Sequence, residues 1–429
     1  MAGQSERRKG KAGQEDDELD PNFVLRARRQ EQLLIDLLPE LAGERVICNT
    51  VGRAQFAETY ARLRPAATVR CLFLDLYQRN LAADAIFRDL HVPYEDDDGD
   101  DDTLYGAADP IEPVVESSAE EPDEVWTPPL ANLFLDCEPD FPDEEVDLAA
   151  LAFGRFGEAE LTRDLLQQAH RRLAVGGRLV ASTDHDDDQW LHAELKRLFP
   201  KVTRRPIRKK GTLYLATRVD EPVKYKSFDC EFAFRDQGRL IKAFSRPSVF
   251  SHRRIDTGAR ALINAMEIRP RMKVLDIGCG AGVVGIAAAL RAENVDVTAV
   301  DCNPRAVQSA ERGAAANGVS DRFEGLLDAD GSHLEANWFD LSLANPPYFS
   351  NWRIAEHFLQ ASLWGLKPLG EILVVTKTPH WFAERMPQLF THVEGEQVKD
   401  YWLIRGQKPA DTRVRQPDGT VDPRVSPDP

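Results

Sequence analysis

The stretch Val274-Leu-Asp-Ile-Gly-Cys-Gly-Ala-Gly-Val-Val-Gly285 decides the fold. A short apolar run, KVLDI, enters a glycine-rich turn, and the residues beyond it, VGIAAALRA, read as a helix. Glycines at 278, 280 and 282 remove every Cβ where a ligand must approach the backbone, and a helix start exposes free N–H donors. The next apolar run, VDVTAV, leads to Asp301, 25 residues after Asp276, where a carboxylate can accept both hydroxyls of a ribose. Strand, turn, helix and strand with a terminal acid make one unit of a nucleoside-binding α/β fold.

Outward from this unit the alternation continues. PRAVQSAERGAAAN is predicted as a helix with Asn303 as N-cap, Pro304 in its first turn and Gly318 as its stop. FDLSLA, a helix carrying Ile354, Phe358, Leu359, Leu363 and Leu366, and EILVVT extend the pattern to a parallel sheet covered on both faces. The same pattern then recurs upstream. RVICNTVGRA from Arg45 aligns with KVLDIGCGAG from Lys273, and CLFLDLYQRNL from Cys71 with VTAVDCNPRAV from Val297. Val146 to Leu148 aligns with Phe339 to Leu341, and Leu173 to Leu179 with Leu366 to Ile372, both at an offset of 193. Two tandem Rossmann-like α/β domains, each with a seven-stranded mostly parallel sheet, are expected at 21–220 and 221–407. The first is degenerate: Cys48 faces Asp276, Thr50 faces Gly278 and Ala152 faces Asn345. Residues 1–20 and 408–429 read as disordered tails.

Composition limits the function. Hydrophobic residues make up 42% of the 429, charged residues 29%, and mean hydropathy is -0.41, as in an ordinary soluble protein. No apolar run reaches membrane length, and the opening MAGQSERRKG has no signal-peptide apolar core, so a cytoplasmic protein is expected. The six cysteines (48, 71, 137, 230, 279 and 302) show no CxxC pairing, which leaves a zinc site or a disulfide framework without support; no metal is expected. The net charge of -17 is concentrated: residues 91–150 hold 21 acidic and no Lys or Arg residues, leaving 54 basic against 50 acidic elsewhere. The segment near 95–125 reads as an acidic insertion, either a solvated loop or an RNA mimic guarding a basic groove.

Gly280-Ala-Gly282-Val-Val-Gly285 also satisfies the dinucleotide fingerprint, so an NAD-dependent oxidoreductase stays open. Two residues favour S-adenosylmethionine. The Asp276 charge would repel a pyrophosphate but can orient the ammonium of a methionyl group. Asp328, where a third strand should end, can accept from an adenine amino group, or is a solvated loop carboxylate. Asn345-Pro346-Pro347-Tyr348 follows FDLSLA, at a strand carboxyl end where ligands bind in open α/β sheets. The prolines hold the Asn345 side chain and the Pro346 carbonyl in a rigid turn. If these two acceptors take both hydrogens of a planar NH2 group, its lone pair can face a sulfonium methyl, and Tyr348 can stack on the ring. Positioning supplies the acceleration, so no catalytic His is needed.

These residues resemble a class I S-adenosylmethionine-dependent methyltransferase of the "methyltransferase small" group. With a degenerate first domain and the segment VFSHRRIDTG, from Val249 to Gly258, the chain is similar to the ribosomal RNA guanine-N2 methyltransferases of the RsmC and RlmG type. The resemblance covers roughly residues 41 to 405 and is strongest over 249 to 376. It implies transfer of a methyl group to guanine N2 in rRNA, 16S ahead of 23S, with the first domain aiding folding and RNA positioning. It implies that Asp276, Gly278, Cys279, Gly280, Gly282, Asp301, Cys302, Asn303, Asp328 and Asn345 surround the cofactor. Asn345, Pro346, Pro347 and Tyr348 would hold the guanine, and Phe250, Ser251, Asp256, Thr257 and Gly258 would close over cofactor and substrate. Adenine N6 and protein glutamine amides are open to the same chemistry, and a non-catalytic RNA-binding assembly factor is the third class. Arg204, Arg205, Arg208, Lys209 and Lys210 form the densest basic cluster, expected in a connection between the last strands of the first domain; they contact RNA phosphates or form a solvated basic loop. The expected partners are ribosomal RNA or a ribosomal subunit, and the tandem copies can pair within one chain, so a monomer is expected.

Overall fold

Two sheets of identical topology are built from these runs. In the first, β1 (Arg45–Asn49), β2 (Thr68–Phe73), β3 (Leu133–Cys137), β4 (Val146–Phe153), β5 (Leu173–Thr183), β6 (Val202–Ile207) and β7 (Gly211–Thr217) lie in the order β3-β2-β1-β4-β5-β7-β6. A hairpin of β8 (Cys230–Asp236) and β9 (Arg239–Ser245) follows. The second sheet contains β10 (Lys273–Ile277), β11 (Asp296–Asp301), β12 (Phe323–Leu327), β13 (Phe339–Ala344), β14 (Leu366–Thr376), β15 (Thr391–Val398) and β16 (Tyr401–Gln407), in the order β12-β11-β10-β13-β14-β16-β15. Only β7 and β16 run against their sheets. The computed structural model describes residues 27–87, 130–347 and 352–410. The acidic insertion at 95–125, Tyr348, the tail 1–20 and residues 411–429 of the second tail lie outside them; Lys408, read as the start of that tail, is instead buried and donates to Leu366 O at 2.7 Å and Asn337 Oδ1 at 2.8 Å.

Both faces of each sheet are covered, which explains why the strands read as unbroken apolar runs. On β10, Val274 packs into one core, with α6 (Thr257–Ala265), α7 (Val283–Arg291) and α8 (Pro304–Ala316). Leu275 and Ile277 enter the other, with α9 (Arg353–Gly365) and α10 (Pro379–Leu389). The first domain repeats this parity: Val46 and Cys48 face one core with α1 (Arg29–Asp36), α2 (Gln55–Leu63) and α3 (Leu76–Phe87), while Ile47 faces α4 (Ala159–Arg172) and α5 (Trp190–Leu195) on the other. Asn303 caps α8 by accepting the Arg305 N–H at 2.9 Å. Gly318, at φ 70°, ends it: its N–H bonds Ala315 O and the Val319 N–H bonds Ala314 O, a Schellman closure.

Three details differ from the sequence reading. Lys273 pairs with Asp296 and Arg45 with Thr68, so both opening strands share an offset of 228. The counterpart of Asp301 is therefore Phe73, two residues before the position the alignment of Cys71 with Val297 assigned. Leu366 begins β14 and is not part of α9. The connection after β7 stays with the first domain beyond residue 220: Val223 and Tyr225 join its core, and Gln167 exchanges two hydrogen bonds with the Lys226 backbone at 2.6 and 2.9 Å.

The domains meet beside the end of β11. Arg305, fully buried, donates to Pro139 O (2.7 Å), Pro247 O (3.1 Å) and the Asp164 carboxylate (2.7 Å). Arg246 reaches Asp140 and Gln308, each at 2.9 Å. The Leu76 N–H, at the start of α3, donates to Cys302 O at 2.9 Å. The two contacting segments, 74–76 and 302–304, occupy equivalent positions in the two copies.

Candidate active site

A pocket opens at the carboxyl ends of β10 and β13. Phe250, Ser251, Arg254, Asp256, Asp276, Gly278, Cys279, Gly280 and Asn345 line it, with Ala259, Ala281, Val283 and Val284 as its apolar wall. The strands explain the convergence: Asp276 and Asn345 stand at or just beyond the ends of adjacent parallel strands, and the segment 250–256 folds back over both.

Asp276 is buried and its Oδ2 accepts the Gly285 N–H at 2.8 Å; a side chain at 285 would come within 3.0 Å of that oxygen. Burial pushes its carboxyl up to about 7, against the Gly285 hydrogen bond and with the help of the nearby Asp301 charge. Asp301 accepts the N–H of Gly280 and of Asn303, one on each oxygen and both at 2.9 Å, tying the turn to β11. Burial raises its carboxyl to about 6, against those backbone donors. Two carboxylates at elevated values, Asp276 buried and Asp301 half-buried, with N–H donors between them, suit a ligand that brings positive charge and hydroxyl groups.

The three glycines do different work. A Cβ at Gly278 would sit 2.5 Å from the Phe358 ring, and one at Gly282 would sit 2.6 Å from Ala310 Cβ. Gly282 is pressed by α8; Gly278 is pressed by the Phe358 ring of α9 and also lines the pocket, and both hold a left-handed φ of 69–70°. Gly280, at φ 53°, has Phe250 as its nearest neighbour at 3.8 Å and faces the pocket. Asp328 is not a solvated carboxylate. It is buried and accepts the N–H groups of Asp330, Gly331 and His333 at 2.8–2.9 Å, building the turn after β12.

Asn345 Nδ2 donates to Asp256 Oδ2 at 3.2 Å, and the same oxygen caps α6 by accepting Ala259 N–H at 3.1 Å. Pro346 is buried and Pro347 half-buried beside it. Tyr348 lies outside the described residues. Ser251 donates to Arg254 O at 3.0 Å; Thr257 and Gly258 form the first turn of α6, behind the pocket wall. Cys279 lines the pocket with its thiol pushed up by burial, and burial raises the Cys302 thiol as well. Asn303 holds Ser248 through its side-chain nitrogen at 2.9 Å. Glu158 accepts Ser248 N–H at 2.8 Å and Glu160 takes the Arg253 guanidinium at 2.8–3.1 Å, so the first domain also secures the covering segment.

The basic cluster is not part of this pocket. Arg204 and Arg205 lie on β6, where Arg205 pairs with Glu40 (2.8 Å) and Arg204 with Asp187 (3.4 Å); Arg208, Lys209 and Lys210 form the turn into β7. Two functional residues escaped the sequence reading. Arg254 lines the pocket, and its adjacency to Arg253 was the available signal. Arg305 is a cation in the first turn of a helix, where the dipole disfavours it, and that mismatch called for buried acidic partners.

Residues 241–405 match the family model of the Methyltransferase small domain. The chain is similar to the Ribosomal RNA small subunit methyltransferase C of Haemophilus influenzae, 31% identical over 156 residues, 35% of this chain and 46% of that protein. The protein of the same name from Mannheimia succiniciproducens is 36% identical over 142 residues, covering 32% and 41%. That from Pseudomonas fluorescens is 29% identical over 197 residues, covering 43% and 58%. The chain thus spans about half the length of the curated relatives it matches. Among solved structures, the T. thermophilus 16S rRNA N2 methyltransferase RsmC, in complex with AdoMet and guanosine, aligns over 89% of this chain and 93% of that one, with a TM-score of 0.63 at 18% identity. That likeness extends the shared fold across both domains. Residues 241–405 thus resemble a Methyltransferase small domain, and an amino-terminal domain of the same fold is set in front of them.

Proposed function

We propose that this chain is an S-adenosylmethionine-dependent N-methyltransferase that modifies the exocyclic N2 amine of a guanine in ribosomal RNA, 16S in preference to 23S. The observation that carries the reading is the meeting of Asn345 with Asp276 and the turn 278–281 around one pocket, with Pro346 next in the chain. The residues fit the cofactor: one buried and one half-buried carboxylate, a turn with room beside Gly280, and a negative charge at Asp276 that disfavours a pyrophosphate. Asp276 would hold the methionyl ammonium, Gly278, Cys279 and Gly280 would border the methionyl chain, and Asp301 would take the ribose hydroxyls. Gly282 would support the turn from behind. Cys302, Asn303 and the turn built by Asp328 would border the ribose and adenine.

Bound there, S-adenosylmethionine supplies an electrophilic methyl group that passes to the amine nitrogen as its bond to sulfur breaks. The Asn345 side-chain oxygen and the Pro346 carbonyl would accept the amine's two hydrogens and aim its lone pair. Pro347 would stiffen the turn and Tyr348 would stack on the base. Phe250, Ser251, Asp256, Thr257 and Gly258 would close the pocket and exclude water. The proton leaves after alkylation, so these side chains need only orient the amine. Guanine N2 is favoured because the curated relatives are small-subunit rRNA enzymes and the fold neighbour is a guanine-N2 methyltransferase. A paired guanine hides this amine, so the base would be unpaired or extruded. Arg204, Arg205, Arg208, Lys209 and Lys210 would contact RNA phosphates away from the pocket. A cytoplasmic monomer acting on rRNA or a ribosomal subunit completes the reading. Among the described residues no helix is long and apolar enough to cross a membrane.

The test is methyl-labelled S-adenosylmethionine with naked rRNA, each isolated subunit and intact ribosomes, followed by nucleoside identification. Label in N2-methylguanosine from the small subunit is expected. Label only in N6-methyladenosine, or in no nucleic acid, would overturn the assignment.

A further inference from the structure

The two ends of an asparagine amide have similar shape and opposite hydrogen-bonding character. An Asn that must accept from an amine therefore needs its NH2 end fixed elsewhere. Here Asn345 Nδ2 donates to Asp256 Oδ2 at 3.2 Å, and that oxygen is already committed to the α6 cap through Ala259 N–H at 3.1 Å. A carboxylate only accepts, so this neighbour admits one amide orientation, with Oδ1 turned away from α6. Asp256 and Asn345 both line the pocket with Asp276 and Gly280. Methyl transfer leaves positive charge on the attacking nitrogen, so its acceptors are worth more in the transition state than before it. A carboxylate behind the amide polarises the amide oxygen in that sense.

We propose that Asp256 is the positioning residue for Asn345: it holds the amide oxygen toward the acceptor amine and supplies negative charge behind it. It acts on the chemical step and leaves cofactor affinity unaltered. This rests on the N-methyltransferase reading of the pocket and deepens it. The α6 cap and the orientation of Asn345 then depend on one oxygen atom, which ties the covering segment 250–256 to the carboxyl end of β13.

Two variants separate positioning from folding. Asp256→Ser keeps a good helix cap but is too short to reach Asn345, whereas Asp256→Asn can keep both contacts through its single carbonyl oxygen and loses only the charge. With the full chain and small-subunit RNA, Asp256→Ser should lower kcat by about 10- to 100-fold, with the KM for S-adenosylmethionine and the melting temperature at wild-type values. Asp256→Asn should recover most of the rate, and Asp256→Ser combined with Asn345→Ala should be no slower than Asn345→Ala alone. Wild-type kcat in the Ser variant, or losses that multiply in the double variant, would overturn the proposal. A second readout is independent of the acceptor. The side-chain amide resonance of Asn345, assigned by its disappearance in Asn345→Ala with S-adenosylhomocysteine bound, should shift and lose exchange protection in Asp256→Ser. If the wild-type protein methylates no RNA, the functional reading fails and this resonance still decides the Asp256 link; an unmoved resonance refutes it.

Discussion

Residues 48–57 and 276–285 are the same turn folded twice. Both lead from the first strand of a sheet into a helix, and Ala54 and Gly282 occupy equivalent N-cap positions with left-handed φ of 61° and 70°. They differ in what fills them. In the second copy the strand contributes Asp276, whose carboxylate lies against Gly285 N–H, and the space beside Gly280 stays open. In the first copy Glu31 of α1 sends its carboxylate into the turn, where it accepts Thr50 Oγ1 and Phe56 N–H, each at 3.1 Å. Its other face lies 3.2 Å from where a side chain at Gly52 would begin. A helix start that could receive a ligand anion instead receives one from its own chain. The first copy satisfies its turn from within on the same backbone frame.

The comparison can be broken most severely at Asn345, whose counterpart is Ala152. Asn345→Ala makes the second copy resemble the first, and methyl transfer should fall by about 100-fold or more with S-adenosylhomocysteine binding intact; calorimetry and single-turnover rates report the two separately. Next comes Glu31. Burial raises its carboxyl from 4.5 to about 7, against its hydrogen bonds from Phe56 and Thr50. Folding therefore gains from its protonation, a contribution complete below about pH 4.5 and lost as pH rises through about 7. Glu31→Gln should remove that slope and leave the protein more stable than wild type at pH 8, by up to ~3 kcal/mol. Denaturant unfolding at pH 5 and 8 measures it, and parallel pH profiles would refute it.

In the second copy the elevated acids should act on binding. On the proposed reading Asp276, near 7, and Asp301, near 6, would both be ionised to meet an ammonium and a ribose, so cofactor affinity should weaken as pH falls below about 7. Between pH 8 and 5.5 the loss should be about 100-fold by linkage, visible in calorimetry as pH-dependent dissociation constants. The smallest effects are a pair of opposite sign. Ala54→Gly should stabilise by about 1 kcal/mol by relieving a left-handed alanine. Gly282→Ala should destabilise by about 2 kcal/mol from the same strain, with the contact to Ala310 added. Equal signs would mean the two turns are not equivalent.

Local signals carried far. Strand, turn and acid at 274–301 were legible because each depends on neighbours in the chain, as were the Asn303 cap and the Gly318 stop. The two-residue slip at the second strand has a physical cause: side chains alternate with period two, so a shift of two keeps the same faces inward and leaves no mark in the apolar pattern. What stayed hidden depends on distant partners. Glu31 looks like a polar residue of an amphipathic helix until Thr50 and Phe56 meet it. Gly282 reads as ligand clearance because Ala310 comes from a later helix. Asp256 could be assigned to the covering segment, but its hold on Asn345 spans 89 residues.

Arg305 follows Asp301 by four residues and is held by carboxylates contributed wholly by the other domain. A scan for substitutions that weaken activity should therefore register Asp140 and Asp164, although neither touches the pocket, because each change leaves a buried guanidinium short of a partner just beyond the end of β11. For such a scan the unit of exchange is the pair: swapping either half between related proteins should succeed only when the arginine and its acids travel together.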